Sequence, residues 1–115
     1  MSSDRPTTDE STLSDFAAAH AEGAVTVDVR EPDEYAGGHV PNARNIPLES
    51  LGVQASRLAR EGQGATVYVI CASGNRSKAG AALLTRAGVD ARSVAGGTAA
   101  WTQAGHPVVT GSRPA

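Results

Sequence analysis

The chain of 115 residues has a single cysteine, Cys71. One cysteine closes no internal disulfide, so the fold cannot be a disulfide-stapled scaffold. Oxidation of that thiol is left with an intermolecular bridge, a sulfenic acid or another capped form, which fits a reducing compartment. No apolar run approaches the roughly 20 residues of a membrane-spanning helix. The polar start from Met1 to Glu10 lacks the apolar centre of a signal peptide. A cytoplasmic location and no membrane partner are therefore expected. Neither sign of charge dominates: Lys and Arg number 10, Asp and Glu 12, for a net charge of −2. Nothing global attracts a nucleic acid. No His or Cys cluster has metal-ligand spacing, and the Gly96-Gly97 pair is too short for a dinucleotide fingerprint. Neither a metal nor an organic cofactor is expected, and there is no internal repeat or second domain.

What is present is enough for one globular domain, with 40% hydrophobic and 19% charged residues. Residues 1–10 read as a mobile tail, 11–110 as the domain and 111–115 as a C-terminal tail. Leu13, Phe16 and Ala17 are spaced for one face of a helix from Ser11 to His20, with Ser11 or Thr12 as cap and Gly23 as stop. The β-branched run from Ala24 to Val29 predicts a buried strand. Pro32 suits the first turn of a short helix, with Asp33 and Glu34 at its positive end and Gly37-Gly38 ending it. The Pro-rich segment from His39 to Pro47 predicts a turn and a short strand. Leu51, Ala55 and Leu58 mark one side of a helix from Leu48 to Arg60, and Thr66–Ile70 is the next strand. A helix then runs to about Ala87, closed by Gly88. A last strand at Arg92–Ala95 leads through Gly96-Gly97 into a short helix carrying Trp101. Strands alternating with helices predict an α/β fold: a central parallel sheet with helices on both faces and right-handed crossovers.

Chemistry concentrates after the Thr66–Ile70 strand. Cys71 ends it, Ala72-Ser73-Gly74-Asn75-Arg76-Ser77 forms a loop, and Lys78 onward continues a helix. The carboxyl end of a parallel strand is the usual ligand crevice of such a sheet. A helix start offers unpaired N–H groups and the positive end of the macrodipole. A thiol held there ionises more readily, and the thiolate is the nucleophile. Loop N–H groups from Ala72 to Ser77 can converge on one point if the backbone curls into a nest. Gly74 is free to take a positive φ there. Ser77 either caps the helix or turns its hydroxyl toward the sulfur. Arg76 adds a permanent charge and five donors.

These residues resemble the active-site loop of single-domain rhodanese-like sulfurtransferases. Asp28-Val29-Arg30-Glu31 through Glu34-Tyr35, then Gly38-His39-Val40-Pro41-Asn42-Ala43 and Asn45-Ile46-Pro47, is similar to that family's first signature. Gly96-Gly97 followed by Trp101 is similar to its closing signature. The resemblance implies a parallel sheet with the cysteine loop at its carboxyl end. It also implies a reaction: a sulfane sulfur passes from a donor, such as thiosulfate, to Cys71 as a persulfide and then to an acceptor nucleophile. The partners implied are a small sulfur-containing anion or persulfide donor and a protein or low-molecular-weight thiol acceptor.

Several residues carry two readings. The rival enzyme reading is a cysteine phosphatase or arsenate reductase: the cysteine phosphatases that share the fold use C-x-x-x-x-x-R, whereas Arg76 follows Cys71 as C-x-x-x-x-R, and the shorter loop suits one sulfur better than a tetrahedral phosphate. A non-catalytic module that binds partners or carries sulfur stays open. Arg76 either binds the substrate anion or props loop carbonyls. Asp28, with Arg30, is read as support: its carboxylate either holds loop N–H groups or pairs with an Arg. Arg44 either projects toward the loop entrance as a second cation or is a solvated surface charge. His39 is read as a structural turn residue, His20 and His106 as surface residues, and Trp101 as a core anchor. Family members specialised for thiosulfate often carry a basic residue just after the cysteine; Ala72 and Ser73 are neutral.

Overall fold

The structure is a computed structural model that describes residues 10–62 and 64–115. Five strands, β1 (Glu10–Ser11), β2 (Val25–Asp28), β3 (Arg44–Asn45), β4 (Val67–Ile70) and β5 (Ala91–Val94), form one sheet in the order β1-β5-β4-β2-β3. Every pairing is parallel. Five helices connect them: α1 (Leu13–Ala21), α2 (Pro32–Ala36), α3 (Leu48–Gly62), α4 (Asn75–Arg86) and α5 (Gly97–Gln103). The α/β architecture predicted from alternation is the one observed.

Strand alternation divides the core between the two faces. Val27, Val67 and Val69 point toward α3 and α4, where Leu51, Leu58, Ala81 and Leu84 are buried. Ile70 and Val94 point the other way, toward Phe16 of α1 and Trp101 of α5, with Tyr68 packed alongside. Burying each of these larger side chains contributes roughly 1.5–3 kcal/mol, so the apolar stripe of α3, not helix propensity, fixes that helix. Thr12 caps α1, its hydroxyl accepting the Asp15 N–H at 3.0 Å.

The differences from the sequence reading lie at the edges. Glu10–Ser11 is an edge strand paired with β5, where a tail and helix start were expected; two polar residues carry no alternation to read. The remainder of the expected N-terminal tail, residues 1–9, lies outside the described residues. Residues 111–115, expected to trail off, are tied back: the Gly111 N–H donates to the Ala36 carbonyl and the Asn42 N–H to the Pro114 carbonyl, both at 2.9 Å. No helix among the described residues is long and apolar enough to cross a membrane.

The sheet order matters for the site. From β2 the chain moves outward to β3, then returns through α3 to β4 on the other side of β2. Chain direction therefore reverses between β2 and β4, and the crevice of an open α/β sheet opens at the carboxyl ends of such strands. Arg30 follows β2 there, and Cys71 follows β4.

Candidate active site

Cys71 exposes about 1% of its surface, yet its sulfur is surrounded by donors. The Gly74 N–H points at Sγ from 3.1 Å and the Ser77 N–H from 3.3 Å. The Ser77 hydroxyl lies 3.4 Å away and accepts from the thiol. The turn that permits this has Gly74 at φ +110°, in the left-handed region a Cβ disfavours. Ser77, in the first turn of α4, is fully buried, as is Ser93 of β5. Their hydroxyls are 2.7 Å apart, and Ser77 also donates to the Gly74 carbonyl at 3.2 Å. When the sulfur is ionised, the Ser77 hydrogen can turn onto it, and Ser93 can donate to the Ser77 oxygen in its place.

Two influences on the thiol oppose each other. Burial pushes its pKa up; the Ser77 hydroxyl and the N–H groups of Ser77, Gly74 and Ser73 pull it down. The net result lies below the ordinary thiol value. The anion is thus held mainly by dipoles aimed at it. Of the loop residues expected around the sulfur, Gly74 and Ser77 hydrogen-bond to it directly. Ala72 turns its carbonyl away, and Ser73 and Asn75 are exposed.

The outer wall of the loop is supplied by α5. The Thr98 N–H donates to the Cys71 carbonyl at 2.8 Å, the Thr98 hydroxyl to the same oxygen at 3.0 Å, and the Ala99 N–H to the Ala72 carbonyl at 3.0 Å. The approach is so close that a Cβ on Gly97 would stand 2.5 Å from the Cys71 oxygen and 2.6 Å from that of Ala72. Gly97 is also at φ +60°. Thr98 and Ser93 were not singled out from sequence. The pattern Gly96-Gly97 was, and close backbone approach is its physical reason.

Arg76 does not face the sulfur as a free cation. Its two terminal nitrogens donate to the Glu34 carboxylate of α2 at 2.8 and 3.0 Å. The pair is partly open, with side chains 38% and 36% exposed. Glu34 also accepts the Glu31 N–H at 2.9 Å. The Arg76 hydrogen bond is the main reason its carboxyl is lowered to about 2. Arg76 still senses the thiolate charge, and its own pKa is raised, chiefly by Glu34.

Asp28 and Arg30 pair with each other. Asp28, fully buried, accepts the Arg30 N–H at 3.0 Å and the guanidinium at 2.9 to 3.2 Å. Arg30 also donates to the Gly38 carbonyl at 2.8 Å. Of the two roles left open for Asp28, pairing with an Arg is the one present. The brace acts on the Gly37-Gly38 turn, while the bonds to the Cys71 loop come from α5. Of the two readings of Arg44, the surface charge is the one observed: the exposed side chain pairs with Glu61 of α3 at 2.8 Å and lines a cavity of about 260 Å³ with His20, Val25 and Asn42. Val25 opens β2, so that cavity lies at the opposite end of the strand from Cys71. Arg44 is therefore no second cation at the loop.

His39 is fully buried, stacked on Tyr35 at 3.6 Å, with ring nitrogens 2.8 and 3.2 Å from the Tyr35 and Pro114 carbonyls. This is a structural position. His20 and His106, expected at the surface, instead pack against the buried Trp101 at 5.1 and 4.3 Å. Among the described residues, no three His, Cys, Asp or Glu side chains form a metal-ligating group.

A family model described as a rhodanese-like domain matches residues 12–104. A rhodanese-related protein of Thermoplasma volcanium is 34% identical, with a TM-score of 0.77, over 87% of this chain and 96% of that one. A thiosulfate sulfurtransferase of Pseudomonas aeruginosa is 29% identical with a TM-score of 0.80; the match covers 90% of this chain but 20% of that larger one. A Rhodopseudomonas palustris protein of unknown function, described as a possible tyrosine phosphatase, is 25% identical with a TM-score of 0.79, over 89% of this chain and 85% of that one.

Proposed function

The chain belongs to the rhodanese-like family, and from that premise we propose that it is a sulfurtransferase carrying sulfur as a persulfide on Cys71. The observation that carries the proposal is the pair of N–H groups 3.1 and 3.3 Å from Sγ, on a thiol whose pKa is lowered. With thiosulfate as donor, the Cys71 thiolate attacks the outer sulfur and the S–S bond breaks. Sulfite leaves with the bonding pair, and Cys71 holds a persulfide anion. An acceptor such as cyanide then attacks the outer sulfur. Thiocyanate leaves, and the Cys71 thiolate returns. Covalent catalysis divides one transfer into two easier steps. The donors that hold the thiolate lie where they can also hold charge on the persulfide.

The phosphatase reading receives less support. Its anion site needs an arginine aimed into the loop, and Arg76 follows Cys71 one position too early and is held by Glu34. The test is intact mass after exposure to thiosulfate, polysulfide or glutathione persulfide. A one-sulfur adduct that cyanide removes, absent from Cys71→Ser, is expected. No adduct from any of the three donors would overturn the enzyme reading and leave a partner-binding module.

A further inference from the structure

We infer that Glu34 sets the charge preference of the Cys71 site: by holding Arg76 it makes the loop favour neutral or singly charged sulfur donors over dianions. The inference rests on the sulfur-transfer reading above and names the donor class for it.

Four observations converge. First, among the described residues, three cations around the loop are matched by carboxylates. Arg30 pairs with Asp28 at 2.9 Å, Arg76 with Glu34 at 2.8 Å, and Lys78 approaches Glu10 at 3.6 Å. Second, Glu34 is fixed from two sides, by the Arg76 guanidinium and the Glu31 N–H. Its carboxyl lies at about 2, so it remains charged wherever the thiol works. Third, the α2 side of the rim carries further negative charge: Glu31 is raised chiefly by Glu49, with Asp33 and Glu34 adding to it. A dianion approaching there meets no net positive field. Fourth, where α5 meets the loop lies an open groove of about 410 Å³ walled by Ala72, Thr98, Ala99, Thr102, Gln103 and Arg30. Its lining is methyl groups, hydroxyls and one amide, with the single cation already paired. That surface suits the carbon chain and amides of an organic persulfide better than a sulfonate group.

The step it implies is balanced. The Cys71 thiolate attacks the outer sulfur of R–S–SH, and the S–S bond of the donor breaks. The R–S sulfur leaves with the bonding pair and takes the donor's proton, giving R–SH and a Cys71 persulfide anion. No outside oxidant or reductant enters.

The experiment reads charge preference without requiring sulfur transfer. Cys71 is alkylated at low salt with iodoacetamide, which is neutral, and with iodoacetate, an anion, in the natural chain and in Glu34→Gln and Arg76→Gln. Gln keeps an acceptor for the Glu31 N–H, and the Arg76 variant approaches the same pair from its other member should the first fail to fold. Glu34→Gln should raise the iodoacetate-to-iodoacetamide rate ratio about fivefold, the scale of one exposed charge interaction, and Arg76→Gln should lower it. High salt should shrink both effects. In the same Glu34 variant the KM for thiosulfate should fall, with kcat nearly constant. A protein that forms the persulfide but whose ratio is unchanged by Glu34→Gln overturns this inference alone. A shifted ratio with no persulfide from any donor overturns the sulfur-transfer reading and the donor class with it.

Discussion

The floor and the rim of the Cys71 loop handle charge in opposite ways. At the floor, the N–H groups of Gly74 and Ser77 and the Ser77 hydroxyl converge on one buried sulfur. Among the described residues no carboxylate hydrogen-bonds to that sulfur, so the dipoles are opposed only by burial. At the rim, full charges are abundant but matched, Arg76 to Glu34 and Arg30 to Asp28. The two rim pairs themselves differ by burial: side chains 9% and 0% exposed for Arg30 and Asp28, against 38% and 36% for Arg76 and Glu34. The contrast separates three tasks. On the proposed reading, dipoles lower the thiol pKa, the buried pair braces the Gly37-Gly38 turn, and the open pair sets which donors approach.

Breaking the buried pair should have the largest effect. Asp28→Asn leaves the Arg30 guanidinium buried without its carboxylate, and a loss of about 3–5 kcal/mol in urea unfolding is expected. Glu34→Gln, at the open pair, should cost no more than about 1 kcal/mol. Equal losses would erase the distinction between the two pairs. Next comes the wall of the floor. Gly97→Ala forces a Cβ against the Cys71 and Ala72 oxygens at φ +60°, and about 2–4 kcal/mol should be lost. Repacking at no cost would mean that α5 does not hold the loop.

Much of this arrangement could be read from the sequence where the signals are local. The strand-to-helix change around Cys71, the freedom of Gly74 and the supporting place of Asp28 and Arg30, two residues apart at a strand end, all depend on near neighbours. What escaped depends on distance along the chain. Thr98 reaches Cys71 across 27 positions and Glu34 reaches Arg76 across 42. Ser93 is one serine in a short strand, and only the pairing of β5 beside β4 turns it under Ser77. Arg44 carries two readings in the sequence for the same reason: its strand can be foreseen there, but the position of Glu61 at the end of α3 cannot.

Two smaller effects are expected at the floor and at the rim. Ser93→Ala removes the partner that frees the Ser77 hydrogen for the sulfur. The midpoint pH of Cys71 alkylation should rise, with about 1 kcal/mol of stability lost. A loss of stability with an unmoved midpoint would make Ser93 a packing residue only. Smallest is the acid response of the open pair. Glu34 is depressed to about 2 in the folded chain, so its contribution is present above the ordinary carboxylate range and is lost as pH falls toward 2. Because the pair is partly exposed, that contribution is at most about 1 kcal/mol. Unfolding measured from pH 6 to pH 2 should show a shallower decline in Glu34→Gln than in the natural chain; superimposable curves would remove the pair from acid stability.

What ionises Cys71 is read from the pH profile of its alkylation by neutral iodoacetamide. The natural chain should show a midpoint below that of an ordinary thiol. Ser77→Ala should move the midpoint up, and the double variant Glu34→Gln, Arg76→Gln should leave it nearly in place. A midpoint at the ordinary thiol value, or one that follows the rim charges rather than Ser77, would contradict the claim that dipoles at the floor hold the anion.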